Sequence, residues 1–270
     1  MEYSPRAEVP VRLMTYNILR GGKDADSHAR LATVCRLIRQ VAPDILMLQE
    51  CNDFERDGMR TFHHVERELG MRGVLSPAHS GFHVALFVRQ AQLIETRLLE
   101  REMHHAALAA HLELDGFRCV VVGAHLCPFG GELRLAEARI LSRFVREENV
   151  FVLGDLNSIS PHDAAAQRTD QWRPRHRARH QLPGSGGQFD TRTISALEEC
   201  GLTDTFRAAG ASAPTAQTRL CPGWQNFQVR IDYVLATPAA ADRVTHVELV
   251  DGELADQASD HYPLFVDVEV

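Results

Sequence analysis

Residues 150–157, VFVLGDLN, set an apolar, β-branched run directly against Gly154, Asp155 and Asn157. An apolar run of this length that stops on a polar group reads as a buried strand reaching the edge of its sheet. Working outward, five more stretches repeat the design. VRLMTYN (11–17) ends on Asn17, ILMLQE (45–50) on Glu50 and CVVVGAH (119–125) on His125, whereas RIDYVL (230–235) and SDHYPLFV (259–266) carry Asp232, Asp260 and His261 ahead of their apolar runs. Polar groups that follow one strand and precede its antiparallel neighbour arrive at the same sheet edge. That edge is an acidic cup with amides and two histidines, a donor set suited to a magnesium ion and to phosphate esters.

The composition fits a compact enzyme. With 270 residues, 44% hydrophobic and 24% charged, the chain buries a large core, and a single domain over 1–270 is expected. A formal net charge of −7 argues against nucleic-acid binding by bulk positive field. The opening MEYSPRAEVPVR lacks a basic start followed by an apolar stretch, and no run approaches a membrane span, so a cytoplasmic protein without integral membrane association is expected. Six cysteines without CxxC spacing indicate neither a zinc site nor a disulfide framework.

Between the motifs, SHARLATVCRLIRQV places Leu31, Val34, Cys35, Ile38 and Val41 at helical spacing behind a Ser27 cap, and Pro43 with Asp44 stops the helix. A more polar helix is predicted over 60–69. LIETRLLE, HAALAAHLEL and FRCVVVGAHL read as a meander, with Asp115-Gly116 as a hairpin turn. GELRLAEARILSRFVREE reads as a helix with Leu133, Ala136, Ile140, Leu141, Phe144 and Val145 on its buried stripe. Residues from about 158 to 190 read as an irregular, Arg-rich loop, and connections of that length are usually functional or disordered. A short helix TRTISALEECG and a turn at 203–209 precede the last three strands. Helices between strands in one stretch and hairpins in another imply two stacked sheets with helices outside.

GDLN, RIDYVL and SDHYPL in that order, with TYN, QE and AHL before them, resemble the endonuclease/exonuclease/phosphatase family, related to DNase I, exonuclease III and inositol polyphosphate phosphatases. The resemblance runs from residue 15 to residue 264. It implies a four-layered α/β/β/α sandwich, two packed, mainly antiparallel or mixed sheets flanked by helices, with the active site at one end. It also implies a divalent-metal-dependent hydrolase of phosphate esters, a phosphodiesterase or phosphatase using in-line attack by an activated water. A nuclease acting on DNA or RNA is the alternative within the fold, and an inactive phosphate-binding module the alternative outside catalysis.

The resemblance assigns Glu50 as the principal ligand of magnesium, for which manganese can substitute, with Asn17 and Asp260 close by. A carboxylate at the end of an apolar strand is costly unless paired, and a hard cation relieves that cost. Asp155 positions or deprotonates the attacking water, and Asn157, two residues on, donates to a phosphoryl oxygen. Read without the other motifs, GDLN is an ordinary turn. The resemblance also implies that His261 acts on the transition state with Asp232 fixing its tautomer, and that His125 touches phosphate or leaving group. Gly154 is read as leaving room for substrate. Arg173, Arg175, Arg177 and Arg179 follow Trp172; they either clamp a second phosphate or a nucleic-acid backbone, or form a solvated, mobile loop, and the loop reading is preferred. Trp224 and Phe227 stack on a substrate ring or fill core.

Overall fold

The computed structural model describes residues 10–25, 27–114, 116–164 and 169–270. In chain order these form β1 (Val11–Asn17), α1 (Leu19–Gly22), α2 (Ala29–Val41), β2 (Ile45–Gln49), α3 (Arg56–Leu69), β3 (Arg72–Ser76) and β4 (Val84–Val88). β5 (Gln92–Leu98), β6 (Ala106–Leu114), β7 (Phe117–His125), α4 (Gly131–Leu141), β8 (Val150–Asp155), α5 (Pro174–His180) and α6 (Arg192–Glu199) follow. The chain closes with β9 (Thr203–Asp204), α7 (Thr205–Ala208), β10 (Asp232–Ala236), α8 (Pro238–Ala241), β11 (Val244–Leu249), α9 (Glu253–Ala258) and β12 (Leu264–Val268).

Two six-stranded sheets result, ordered β11-β12-β1-β2-β4-β3 and β5-β6-β7-β8-β10-β9. Each contains one parallel pair with a helix in the crossover, β1-α2-β2 and β7-α4-β8, and an antiparallel neighbour on either side of that pair. The registers Asn17 with Gln49, His125 with Asp155, and Asp232 with Asp155 bring the polar strand ends of each sheet to one edge. The expected sandwich is therefore present. Leu13, Met47, Leu86, Leu108, Val121, Leu153, Val234 and Val266 fill the space between the sheets. Leu31, Val34, Ile38, Phe62, Val65 and Ala255 seat α2, α3 and α9 on the outer face of the first sheet, and Ala138, Leu141, Ile194 and Leu197 seat α4 and α6 on the second. The sheets meet so closely that a Cβ on Gly123 would fall 2.0 Å from the Met47 sulfur.

Several local expectations are corrected. Ser27 is not the N-cap of α2; His28 is, with no side-chain cap, and the Ser27 hydroxyl oxygen accepts the Ala29 N–H at 3.2 Å. α3 starts at Arg56, but Asp57, Gly58 and Met59 are left-handed, so its regular part begins where the apolar spacing does. The Asp115 half of the expected hairpin turn lies outside the described residues. In α4 the buried residues are Arg134, Glu137, Ala138 and Leu141, while Leu133 and Ala136 are exposed and the α-helix ends at Leu141. Periodicity ranked the aliphatic residues inward; the helix instead turns two charged side chains in because they satisfy loop backbone below it. The loop expected over 158–190 contains a helix, α5, with Pro174 at its first turn.

Candidate active site

All eight polar residues picked from the strand ends converge. Asn17 closes β1, Glu50 follows β2, His125 closes β7, Asp155 closes β8 with Asn157 two residues beyond, Asp232 opens β10, and Asp260 and His261 precede β12. His261 and Asp232, 29 residues apart, are both buried, and the His261 Nδ1–H donates to Asp232 Oδ2 at 2.8 Å. The Thr215 hydroxyl oxygen accepts the Ile231 and Asp232 N–H groups at 3.0 and 3.1 Å, holding the start of β10. That hydrogen bond leaves His261 Nε2 facing the cup, 3.9 Å from Asp155 Oδ2. Burial opposes a charged His261, but Asp232 first, then Asp155 and Asp260, outweigh it and hold the imidazole pKa well above its ordinary value.

Asp155 is the hub. Its Oδ2 accepts from Asn17 Nδ2 at 3.0 Å and lies 3.4 Å from His125 Nε2, while its Oδ1 accepts the Asn157 N–H at 2.9 Å. Burial pushes its carboxyl up, yet the bonded and charged His125 and the nearby His261 bring it below the usual carboxylate range. His125 answers in kind: burial lowers its pKa, but the Asp155 bond and charge raise it overall. The carboxylate partner of His125, which its own motif did not reveal, is thus Asp155, opposite it in the parallel ladder.

The GDLN turn is local chemistry and site at once. Asn157 takes φ 48°, so it does not extend in line with Asp155; its side-chain N–H instead donates to the Leu126 carbonyl at 2.9 Å, tying the β7 and β8 loops together. Gly154 does not make room for substrate, as expected from sequence. A Cβ there would lie 1.9 Å from the Ala124 carbonyl oxygen, so the glycine permits close approach of β7 at φ 146°.

Glu50 also has a left-handed backbone, φ 58°, which a non-glycine residue holds only when its surroundings keep it there. The Arg20 N–H donates to Glu50 Oε2 at 2.8 Å and Asn17 Nδ2 to Glu50 Oε1 at 3.3 Å. Asn17 Oδ1 accepts the Leu19 N–H at 3.1 Å. Arg30, buried in α2, braces this corner by donating to the carbonyls of Ile18, Leu19, Lys23 and Ala258. Burial, then Glu50 and Asp155, push the Asp260 carboxyl up against the partial relief given by His261. Four carboxylates therefore share a cup with two imidazoles.

Among the described residues, Asp155, Asp232 and His261 also bring ligand atoms within 4.8 Å of one another. In that trio Asp232 Oδ2 and His261 Nδ1 are already spent on each other. Glu50 and Asp260 carry no such mutual bond, and their crowding of negative charge is what a divalent cation offsets.

A cavity of about 340 Å³ opens over these groups, walled by Phe82, His105, Phe129 and Phe227 and by the α5 side chains Arg175 and Arg179. Arg173 lines an adjoining cavity of about 230 Å³ rather than this one. Trp224 is not brought to the cup; it is partly exposed beneath the Arg219 guanidinium, 5.6 Å from its ring centroid, and the buried Phe227 takes the wall position. Sequence reading passed over His105. Its ring lies 4.4 Å from that of His125, its Nδ1 meets Ser80 Oγ at 2.7 Å, and burial with the neighbouring His125 and His104 lowers its pKa to about 2. A histidine just ahead of an apolar strand gives no periodic signal, so only pairing register could have found it.

A model described as the Endonuclease/Exonuclease/phosphatase family matches residues 14–261. The chain belongs to that family. Its fold is shared by an AP endonuclease from Archaeoglobus fulgidus at 20% identity and TM-score 0.71, covering 96% of this chain and 100% of that one. A Neisseria 3′ phosphatase, NExo, bound to a product DNA hairpin, matches at 20% identity and TM-score 0.67, again over 96% and 100%. A humanized D. rerio TDP2 matches at 15% identity and TM-score 0.67, over 96% of this chain and 99% of that one. Comparison with curated proteins finds no match. No helix among the described residues is long and apolar enough to cross a membrane.

Proposed function

We propose that this family member is a magnesium- or manganese-dependent hydrolase of phosphate esters in which water attacks phosphorus in line, with no covalent enzyme intermediate. The observation that carries the reading is the buried Asp232–His261 pair aimed across the cup at Asp155, at the edge where Glu50 and Asp260 crowd. Glu50 and Asp260 would hold the cation, joined by Asn17 through its amide oxygen where that atom exchanges its bond to Leu19. When bound, such a cation polarises a phosphoryl oxygen and offsets the charge that otherwise repels an anionic substrate.

The chain's own residues supply the rest. Asp155, fixed by Asn17 and the Asn157 N–H, orients the attacking water and takes up its proton. His261 carries its proton at Nε2, toward the cup, because Asp232 holds Nδ1; it donates to a phosphoryl oxygen as negative charge develops. His125, whose Nε2 lies 3.4 Å from the same Asp155 oxygen, contacts the phosphate or the leaving oxygen. Asn157 keeps the loop beneath these groups in place. DNA or RNA as substrate is the second reading, favoured by the DNA named with the Neisseria relative and opposed by the net charge of −7.

Purified protein should cleave bis-p-nitrophenyl phosphate, lose that activity in chelator and recover it with magnesium or manganese. Glu50→Gln should stay folded, bind manganese more weakly by calorimetry and lose most of the rate. Full turnover in chelator would remove the cation from the account.

A further inference from the structure

The sequence presents four arginines in alternation, but α5 sorts them by direction. Arg175 and Arg179 are one helical turn apart and both line the active-site cavity. Arg177 points the other way, its guanidinium donating to the Thr169 and Asp170 carbonyls at 3.0 and 3.2 Å. The helix is anchored so that this direction is fixed. The fully buried Arg134 of α4 donates to the Arg179 carbonyl at 2.5 Å, and His176 and His180 pack against Phe227 with ring centroids 4.1 and 5.6 Å apart.

Neither cavity-facing guanidinium has a carboxylate within ion-pair distance among the described residues; Arg175 is exposed and donates through Nε to His176 Nε2 at 3.2 Å, whereas the half-buried Arg179 contrasts with the buried Arg30, Arg134 and Arg230, which are paired with carboxylates or bonded to carbonyls. Arg179 is half-buried beside the exposed ring of Phe129, its guanidinium carbon 5.9 Å from the centroid. Burial and then the like charge of Arg175 weaken its hold on a proton. Beneath them, His180 is 3% exposed, lines the same cavity, and leaves Nδ1 without a partner. The carboxylates of this cavity, Glu50, Asp155 and Asp260, belong to the catalytic cup, so the two guanidiniums on its α5 wall have no carboxylate of their own and are placed to take an anion.

We infer that Arg175 and Arg179 form a second anion subsite, so that the preferred substrate carries one further phosphate beyond the ester that is cleaved. The inference rests on the hydrolase reading above and narrows it to bis-phosphorylated esters. A nucleoside bisphosphate ester or the end of a short oligonucleotide both offer that chemistry. The limit to one extra phosphate follows from the two arginines that α5 turns toward this cavity, Arg173 lying on the adjoining one.

The probes are thymidine 5′-(4-nitrophenyl phosphate), the same ester bearing a 3′-phosphate, and the same ester extended by a trinucleotide. Native protein should prefer the 3′-phosphorylated ester by about tenfold or more in kcat/KM, the size of one charge-assisted contact, and gain little from the trinucleotide. The preference should shrink with added salt. Arg175→Gln with Arg179→Gln should bring the ratio toward one, and Arg177→Gln should keep it. Cleavage of all three esters without preference would overturn the subsite while leaving the hydrolase reading intact. A ratio that survives the double substitution would do the same, and a further large gain from the trinucleotide would overturn the limit to one phosphate. Should no ester be cleaved, the hydrolase reading falls; calorimetric binding of thymidine 3′,5′-bisphosphate against thymidine 5′-phosphate then decides the subsite, equal affinities counting against it.

Discussion

Asp232 touches no solvent and no other cation than His261, so its role is carried through that imidazole. Asp232→Asn keeps a hydrogen-bond partner but removes the charge that sustains the imidazolium. We expect kcat to fall by on the order of 10² or more with little change in KM, the pattern of an interaction made in the transition state. A variant that changes only KM would contradict this role. At this scale the sequence was informative where a residue sits beside its own strand: Asn17, Glu50, Asp155, Asp232, Asp260 and His261 were all readable from apolar runs that stop or start on them. What could not be read was partnership. His125 finds Asp155 across a parallel ladder, and His105 finds His125 by stacking, contacts set by register between strands rather than by neighbours in the chain.

Among the elements, α4 shows why hydrophobic periodicity misassigned a face. Arg134 donates to Ser158 Oγ, the Cys127 carbonyl and the Arg179 carbonyl, and Glu137 accepts the N–H groups of His104 and Cys127. These two side chains join the loops after β7 and β8 to α5, so the inward face is chosen by unsatisfied backbone, not by aliphatic area. Arg134→Gln should destabilise the fold by about 2–4 kcal/mol, because two carbonyls and the Ser158 hydroxyl lose their donor. Arg134→Lys should recover little, since an ammonium cannot reach three directions. Urea denaturation of both variants measures this, and an unchanged midpoint would refute the clamp.

The helix α5 was hidden in a segment whose Arg, His, Pro and Gly content reads as loop; Trp172, Phe227, Ile159 and Val229 make a small core under it that no local pattern announces. Burial, then the surrounding arginines, lower His176 to about 4 and His180 to about 3. In the unfolded chain both return to about 6.5. The unfolded state therefore binds more protons than the folded one below about 6.5, and stability present above that pH is lost as pH falls toward 4 and 3. The unfolding free energy should drop from pH 7 to pH 5, with a slope approaching about 1.4 kcal/mol per pH unit below about 6.5 for a fully buried imidazole. His180→Phe should flatten that slope; an equal slope in both proteins would mean the ring is not held neutral.

For the molecule as a whole, two sheets each contribute a parallel pair whose carboxyl ends and antiparallel neighbour meet at one edge, and the inner core holds those edges together. The layered fold was legible because strand-like runs and helical stretches alternate in both halves, and the site because its motifs lie at strand ends. The direction of the surface arginines and the inward turn of α4 were not, since both depend on what lies across the cup. Hydrolysis at this edge is the central claim. The most direct measurement is the magnesium-supported kcat for bis-p-nitrophenyl phosphate in native protein and in Asp155→Asn, with circular dichroism establishing that both are folded. The account predicts turnover in the native protein and a loss on the order of 10² or more in the variant; a folded Asp155→Asn protein that cleaves the ester at the native rate would contradict it.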